Sequence, residues 1–326
     1  MVNIIRVVYK KVYNSAYYDY NVMKTYHEET LSIRGYDLNK IYMEDFLESA
    51  KKLPDNSFDL IVADPPYNLS KGNKLKLDNS FKLPGFGGNW NKTMEMWDNI
   101  PLWEYLNFSY AWLTQARRLI KPTGSIWVHG TYHNIGIINF LMQTIGIEII
   151  NEVIWYKRNS FPNLSGRRLT ASHETILWAN KGCKKREYFF DYQKSKEIYL
   201  KSDKMKQRGK QLRTVWDIPN NKKKEETKFG KHPTQKPLSL IERMISISAK
   251  KDQTCLIPFA GSGSEAVACI RLGLNFLGFE IEEKYFDIAV RRIEEEKSKK
   301  PGYVSDNNSK PTVLEFYSEN YPEEIK

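Results

Sequence analysis

The chain has 326 residues and a mass of 38.3 kDa, with 50 Lys and Arg against 39 Asp and Glu and a formal net charge of +11. That length suits one large α/β domain with an insertion, or two domains, and a hydrophobic content of 41% excludes a wholly disordered chain. The longest apolar runs fall short of the ~18 residues that cross a bilayer, so we expect no membrane partner.

Cysteine usage and the N-terminal residues predict the cellular compartment. Cys183, Cys255 and Cys269 are an odd number without the spacing of metal ligands, which predicts reduced thiols and neither a disulfide framework nor a metal site. Near the start, Lys10 and Lys11 interrupt the apolar run and no cleavage-site pattern follows, so we do not expect secretion. These features together predict a cytoplasmic protein.

Along the chain, residues 1–38 are rich in Tyr without clear periodicity and are expected to form an N-terminal extension. Strands and helices then alternate, with strands predicted at 41–43, 58–63, 125–129, 149–157, 175–179, 254–259 and 275–280, and helices at 45–52, 101–119, 135–145, 238–249, 265–272 and 285–297. The polar loop at 68–98 is too long for an ordinary connection, so we expect it to be a functional or a mobile loop. The alternation predicts an α/β fold with a doubly wound, mostly parallel sheet.

Most of the positive charge lies in one segment. Residues 181–231 hold 17 Lys and Arg against 7 Asp and Glu, a net of +10. Such a segment is either a solvated basic insertion or a surface that neutralises the phosphates of a nucleic acid. Charge alone does not decide between these alternatives.

Two motifs follow predicted strands at their carboxyl ends, where open α/β sheets bind ligands. The first is the run Asp64-Pro65-Pro66-Tyr67, which comes directly after the apolar strand at 58–63. Two prolines fix the backbone and remove two donors, so that a carboxylate, a rigid carbonyl and an aromatic ring converge. This set suits a flat group that carries an NH₂, because two acceptors meet its hydrogens and a ring stacks on it.

The second motif is a glycine loop, Phe259 to Ser264, between a predicted strand and a predicted helix. Glycines let a ligand approach the backbone and the helix N-terminus closely. The loop lacks the Lys-Ser/Thr of a P-loop, and Glu280 ends the following strand at a distance suited to ribose hydroxyls. A nucleoside cofactor without a pyrophosphate therefore fits the loop better than NAD does.

Taken together, these motifs resemble the permuted (beta) class of S-adenosylmethionine-dependent DNA amino-methyltransferases, of the restriction-modification type. In that class the catalytic strand precedes the cofactor loop and target recognition lies between them, which is the order in this sequence. The segment from Gly230 to Pro237 is similar to the family stretch that helps to bind the methionine end of the cofactor. The resemblance spans about residues 40–297. It implies a catalytic half at 39–180, a target-recognition insertion at 181–229, a cofactor-binding half at 230–297 and a tail at 298–326.

The resemblance also implies roles for individual residues. The predicted catalytic residues are Asp64, Pro65, Pro66 and Tyr67. The predicted cofactor-binding residues are Asp45, Phe46, Asp64, His232, Thr234, Gln235, Lys236, Pro237, Phe259, Ala260, Gly261, Ser262, Gly263, Ser264, Glu280 and Ile281. The predicted DNA-binding residues are Arg167, Arg168, Lys204, Lys206, Arg208 and Lys210.

The implied reaction is transfer of a methyl group from S-adenosyl-L-methionine to the exocyclic N6 of a flipped-out adenine in double-stranded DNA. Adenine is favoured over cytosine because the family's adenine enzymes mostly carry Asp at the first position of the catalytic motif. A cytosine-N4 enzyme, methylation of RNA or protein, and an idle DNA-binding subunit are the alternatives. The sequence departs from the family pattern at Ile257, usually Asp, and at Ser264-Glu265, usually Thr-Thr. A cognate endonuclease and a homodimer are left open.

Overall fold

A computed structural model of the chain describes residues 31–68, 101–160, 162–163, 167–183, 185, 187–200, 202–203, 209–220 and 224–299. Outside the described residues lie most of the predicted N-terminal extension, nearly all of the predicted loop at 68–98, the tail beyond 299, and the predicted DNA-binding residues Lys204, Lys206 and Arg208.

The described residues form ten strands and eight helices. The strands are β1 (Ser32–Ile33), β2 (Tyr36–Asp37), β3 (Lys40–Tyr42), β4 (Phe58–Ala63), β5 (Ile120–Gly130), β6 (Glu148–Tyr156), β7 (His173–Asn180), β8 (Val215–Asp217), β9 (Thr254–Ile257) and β10 (Asn275–Phe279). The helices are α1 (Phe46–Ala50), α2 (Leu102–Leu119), α3 (Ile135–Thr144), α4 (Lys194–Glu197), α5 (Lys224–Thr227), α6 (Leu238–Ser248), α7 (Ser264–Leu272) and α8 (Glu283–Ser298).

Eight of these strands build one sheet, in the order β3-β10-β9-β4-β5-β7-β6-β8. The strands from β3 to β5 run parallel to one another, while β7 is antiparallel to both of its neighbours and β8 is parallel to β6. The two strands that carry the motifs, β4 and β9, are adjacent and pair Leu60 with Cys255 and Ile61 with Leu256. This register places both motifs at the same end of the sheet, where the carboxyl ends of β4 and β9 lie.

Both faces of the sheet are covered by helices, because its central strands are apolar on both sides. Along β4, Leu60 and Val62 belong to the core cluster that includes α6, α7 and α8, whereas Ile61 and Ala63 belong to the cluster that includes α1, α2 and α3. The alternation follows from the two-residue period of a strand.

The basic segment contributes to the same core. Its strand β8 was not predicted, and it pairs with β6 at the edge of the sheet, where Trp216 is buried in the core. Asp203 forms a bidentate ion pair with Arg243 of α6, with nitrogen–oxygen distances of 3.0 and 2.8 Å, and both side chains are buried. The described residues of the segment are therefore anchored to the α/β domain by packing and by a buried ion pair.

Candidate active site and cofactor site

The two sequence motifs meet at the point where the order of the strands reverses. From β4 the chain continues through α2 to the neighbouring strand β5, and from β9 it continues through α7 to β10 on the other side. A crevice opens between two such strands at their carboxyl ends, which makes it the usual ligand site of an open α/β sheet. Asp64 follows β4 there, and the glycine loop follows β9.

Glycine is required in this loop for conformational and steric reasons. Gly261 and Gly263 have φ values of +50° and +76°, and Gly263 directly precedes α7. A Cβ atom on Gly263 would lie 2.9 Å from the Cβ of Ala289 in α8, so the loop packs too closely for a side chain. Arg292 of α8 stabilises the loop, since its Nη1 donates to the carbonyl of Ser262 at 2.7 Å and to the Oγ of Ser264 at 3.2 Å.

Glu280 lies beside the glycine loop, as its spacing predicts. The backbone N–H of Gly261 donates to its Oε2 at 2.6 Å, and those of Ile281 and Glu282 donate to its Oε1. Burial raises the pKa of this carboxyl, and these three backbone donors lower it in part. The carboxylate is therefore fixed at the mouth of the loop, with the exposed side chain of Ile281 (55%) next to it.

The residues predicted to face the adenine of the cofactor come from the adjacent strand end. The backbone of Glu280 donates to the carbonyl of Tyr42 in β3, which places the start of α1 next to Glu280. Asp45 caps α1 by accepting from the backbone N–H of Glu48 at 3.1 Å and is exposed. Phe46 is buried, with its ring 6.1 Å from that of Phe259 in an edge-to-face arrangement.

The segment from Gly230 to Pro237 lies against the other side of the glycine loop. The ring of His232 packs on Tyr285 at 4.2 Å between centroids, and its Nδ1 accepts from the backbone N–H of Thr234 at 3.3 Å. Burial lowers the pKa of His232 to about 4, so the ring is neutral at pH 7. Gln235 donates to the carbonyl of Glu226, while its own Oε1 is buried and has no partner among the described residues.

These residues fit the expected cofactor. The glycine loop exposes no side chain at Gly261 or Gly263 before α7 starts, Asp45 and Glu280 carry acceptors that suit a nucleoside, and the buried Oε1 of Gln235 is an acceptor whose donor the described protein does not supply. Pro237, which is buried, ends the segment and directly precedes α6. The roles of these residues in binding stay predictions.

Lys236 connects the catalytic motif with the cofactor half. Its side chain is 1% exposed, and its Nζ donates to Oδ2 of Asp64 at 2.5 Å. Its carbonyl accepts from the Oγ of Ser264 at 3.0 Å, at the start of α7. Burial opposes the charge of this ammonium group, but the carboxylates of Asp64 and Glu174 raise its pKa above the usual value, so Lys236 is charged.

Tyr67, the last residue of the catalytic motif, also contacts Asp64 and Lys236. Its ring is 3% exposed and lies 5.0 Å below the Nζ of Lys236. Its hydroxyl donates to Oδ1 of Asp64 at 2.6 Å and also lies 3.2 Å from Oε2 of Glu174. Burial, followed by these two carboxylates, raises the pKa of the phenol well above its usual value, so Tyr67 is neutral. Behind the motif, Tyr105 donates to the carbonyl of Pro66 at 3.0 Å.

Two charged residues of this site, Lys157 and Glu174, had been given no catalytic or binding role from the sequence. Glu174, the second residue of β7, accepts from Lys157 at 2.8 Å, and its other oxygen lies 3.9 Å from Lys236. Lys157 directly follows β6, and the antiparallel pairing of β6 with β7 brings the two residues together. Only that pairing could have revealed them, because neither residue belongs to a motif at metal-ligand or catalytic spacing.

Two further titratable groups lie close to Lys236. Glu265, in the first turn of α7, is 4% exposed, and burial together with the charge of Asp64 raises its pKa to about 7. His129 of β5 is fully buried, and neither ring nitrogen has a hydrogen-bond partner among the described residues. Burial and the charge of Lys236 hold the pKa of His129 well below its usual value, so it is uncharged.

Of the predicted DNA-binding residues, Arg167 and Arg168 lie at the catalytic edge of the sheet. They precede β7, which starts at the edge where β5 and β6 end, since Gly130 pairs with Thr175 and Tyr156 with His173. Both arginines are exposed, and Arg168 donates to the hydroxyl of Tyr132 at 3.2 Å. Lys210 is exposed within the basic segment.

Across the described ranges, no cluster of three or more His, Cys, Asp or Glu side chains has the arrangement of a metal site. No helix in the same ranges is long and apolar enough to cross a membrane.

Comparison with known proteins identifies the class of protein that this fold and site define. The family model described as "DNA methylase" matches residues 58–291, which contain both motifs and the basic segment between them. The chain belongs to this family of DNA methylases.

Two of the relatives with similar sequences are type II methyltransferases. The chain is 38% identical to the type II methyltransferase M.HinfI of Haemophilus influenzae over 80% of its own length and 69% of the relative's. It is also 38% identical to the type II methyltransferase M2.DpnII of Streptococcus pneumoniae, over 80% and 92% of the two chains.

Solved structures agree on the fold. The crystal structure of the M1.HpyAVI–SAM complex matches 78% of this chain and 98% of its own, with 27% identity and a TM-score of 0.53. The cytosine-N4-specific PvuII DNA methyltransferase matches with a TM-score of 0.58 at 18% identity, which shows a shared fold. The predicted fold class, the predicted DNA methyltransferase activity and S-adenosylmethionine as the cofactor are thereby confirmed, and DNA is the substrate.

Proposed function

We propose that the protein transfers a methyl group from S-adenosylmethionine to the exocyclic N6 of an adenine flipped out of double-stranded DNA. The observation that carries the proposal is the set of contacts around the Lys236 ammonium group. Asp64 accepts from it at 2.5 Å and the ring of Tyr67 lies 5.0 Å from it. An adenine amino group also presents N–H donors on a flat ring, so the same carboxylate and ring suit it.

The residues would act as follows. Asp64 and the carbonyl of Pro65 accept the two hydrogens of the amino group, which moves the nitrogen lone pair out of conjugation with the ring. Tyr67 holds the plane of the base by stacking. The bound cofactor supplies the methyl group from its sulfonium. As the N–C bond forms, the S–C bond breaks and the sulfur keeps the electron pair. The nitrogen then loses one proton, for which Asp64 is the nearest acceptor, and positioning contributes much of the rate.

Pro65 is favoured over Pro66 as the source of the backbone acceptor. The carbonyl of Pro66 already accepts from Tyr105, which in turn accepts from Asn134 at 3.0 Å. These hydrogen bonds fix the Pro-Pro turn from behind.

Replacement of the catalytic carboxylate tests this function. Asp64→Ala is expected to lower methyl transfer below detection while calorimetry still finds S-adenosylmethionine binding, because the carboxylate contacts the target amino group. Methyl transfer is measured with labelled cofactor on plasmid DNA, and the nucleosides of digested product are separated by mass spectrometry. N6-methyldeoxyadenosine supports the proposal. N4-methyldeoxycytidine would replace adenine with cytosine, and absence of cofactor binding by the wild type would identify an idle DNA-binding subunit.

Target recognition is proposed to lie in the insertion at 181–229, with Arg167 and Arg168 contacting phosphates next to the flipped base. Phosphate contacts position a protein on DNA, while base edges in the grooves specify the sequence. A cytoplasmic location, a cognate restriction endonuclease and a homodimer belong to the same proposal. Protection of methylated plasmid from a panel of endonucleases tests for the cognate restriction endonuclease. Sedimentation of the protein at increasing concentration tests for the homodimer.

A further inference from the structure

A group of buried charges, here called the charge cluster, surrounds Lys236. Its carboxyls are those of Asp64, Glu174 and Glu265, and its ammonium groups are those of Lys157 and Lys236. Lys157 pairs with Glu174 at 2.8 Å, and Lys236 pairs with Asp64 at 2.5 Å. Within the described part of the chain, no cation forms an ion pair with Glu265. The cluster therefore has one carboxyl more than it has cations, and Glu265 is the one left over.

The groups that face Glu265 compensate its charge only in part. Burial and then Asp64 after β4 oppose ionisation, while the backbone N–H of Glu265 itself, Lys236 before α6 and Arg292 of α8 favour it. Neither of these two cations forms an ion pair with Glu265 among the described residues. Arg292 itself is influenced by Glu226 more than by Glu265, and the buried thiol of Cys255 in β9 is neutral because burial raises its pKa well above its usual value. The pKa of about 7 at Glu265 is what a buried carboxyl without a bound cation shows.

Glu265 also lies on the cofactor side of Asp64. It is the second residue of α7, immediately after the glycine loop, and its neighbour Ser264 is bonded to the backbone of Lys236. A methyl group that moves directly to an amino nitrogen held by Asp64 must start within about 3–3.5 Å of that nitrogen. The sulfonium that carries this methyl group therefore comes close to Asp64, whose charge acts on the buried Glu265 at the start of α7.

We propose that Glu265 is the anionic partner of the cofactor's sulfonium and thus the residue that distinguishes the methyl donor from the spent thioether. This inference rests on the proposed direct methyl transfer at Asp64. When the donor binds, its sulfonium supplies the missing cation and Glu265 releases its proton to water. When the methyl group has left, the sulfur is neutral, Glu265 takes a proton back from water, and the product is held less tightly.

The pH dependence has a defined sign. Above pH 8 Glu265 is already ionised, and the affinity for the methyl donor is at its plateau. Below pH 6 the carboxyl must lose a full proton to bind the sulfonium, so the contribution of Glu265 to affinity falls by up to about tenfold per pH unit. The affinity for S-adenosylhomocysteine, which has a neutral sulfur, lacks this dependence.

Titration calorimetry at pH 7, in phosphate and in Tris, counts the protons released when each ligand binds. For the wild type we expect S-adenosylmethionine to release more protons than S-adenosylhomocysteine does, because Glu265 is partly protonated at that pH. In Glu265→Gln the two ligands are expected to release equal numbers. The variant's affinity for the donor falls at least tenfold, and its affinity for the thioether is unchanged. The ammonium group of each ligand titrates alike in both proteins, so its contribution cancels when the difference between the two ligands in the wild type is compared with that in the variant.

The matched control is Glu242→Gln, which changes another buried glutamate, one of α6 that pairs with Arg271 at 3.2 Å. It should keep the wild-type difference in proton release. The inference is overturned if wild type releases the same number of protons with both ligands, a result that needs no variant, or if Glu265→Gln keeps the wild-type preference for the donor. Absence of DNA methylation by the wild type, with its preference for the donor intact, would instead contradict the proposed function.

Discussion

Glu174 holds its charge in a nearly closed environment, with Lys157 and the Tyr67 hydroxyl as its hydrogen-bond partners. Its side chain is 11% exposed and that of Lys157 is 13% exposed, so water compensates neither charge well. Removal of one member of such a pair leaves the other buried and uncompensated, which costs more than the pair itself contributes. Glu174 therefore stabilises the fold and also positions Tyr67.

Glu174→Gln is expected to lower the free energy of unfolding by about 2 to 4 kcal/mol, because the nearly buried Lys157 ammonium loses the carboxylate with which it pairs. Urea unfolding at pH 7 measures the loss. Glu48→Gln is the control, since Glu48 pairs with Lys51 at the same 2.7 to 2.8 Å but on the surface. It should lower stability by no more than about 1 kcal/mol. Equal losses in both variants would contradict the role of burial.

At the scale of elements, the start of α7 is set by the conformation of one residue. Gly263 is in the left-handed region, and α8 packs against it so closely that Ala289 excludes a side chain. The contact holds the glycine loop at the end of β9, where the cofactor is predicted to bind. Backbone conformation and interhelical packing thus require the same residue.

Gly263→Ala is expected to destabilise the protein by about 2 kcal/mol or more, since an L-residue with positive φ is strained by about 1–2 kcal/mol and the new Cβ meets Ala289 at 2.9 Å. Its dissociation constant for S-adenosylmethionine should rise at least tenfold in calorimetry. Gly136→Ala in α3 is the control, because nothing lies within 4 Å of its Cβ position. It should stabilise by about 0.5–1 kcal/mol and leave cofactor binding unchanged. If Gly263→Ala and Gly136→Ala changed stability and cofactor binding equally, the requirement for glycine at position 263 would be contradicted.

Elements with strong periodicity could be predicted from sequence. The strand at 58–63 has the predicted bounds, and the predicted helix at 101–119 begins one residue later, because their apolar patterns match their burial. The strand β8 has only three residues and depends on β6 for its hydrogen bonds, so its local sequence carried no signal. The reversed direction of β7 was also hidden, since a strand's apolar pattern does not encode its orientation.

The residues of the site also differ in whether the sequence could predict them. Asp64 and the glycine loop are short runs with unusual composition at strand ends, so sequence could place them together. Lys157 and Glu174 are ordinary residues in composition, and only the β6–β7 pairing joins them. The excess carboxyl of the charge cluster was likewise hidden, because it depends on burial of Glu265 and not on the sequence pattern.

For the whole molecule, charge is distributed unevenly in the sequence, with a net of +10 at residues 181–231 out of +11. The described residues of this segment are anchored to the α/β domain through β8 and through the ion pair of Asp203 with Arg243. The described part of the basic segment is thus attached to the sheet whose carboxyl edge holds Asp64. Phosphate contacts made by this part would therefore hold DNA in a fixed relation to the catalytic motif.

A DNA-binding role for the basic segment and for Arg167 and Arg168 predicts a steep loss of affinity with salt, because each neutralised phosphate releases counterions and adds about −0.9 to the slope of log K against log salt. The double variant Arg167→Gln, Arg168→Gln should make the slope shallower by up to about 2. The effect should be equal on duplexes of different sequence, since phosphate contacts carry no sequence information. Fluorescence anisotropy with a labelled duplex, at five salt concentrations, measures the slope.

The control for this prediction removes two positive charges from the opposite edge of the sheet. Lys51 and Lys251 are exposed and lie in the turns that lead into β4 and β9 at their amino ends. Lys51→Gln, Lys251→Gln should keep the wild-type slope, because charges far from the phosphates are screened within about one Debye length, ~8–10 Å at physiological salt. If both double variants reduced the slope equally, net charge and not position would govern binding. A wild-type slope near zero would show that neither the arginines nor the basic segment contacts phosphate.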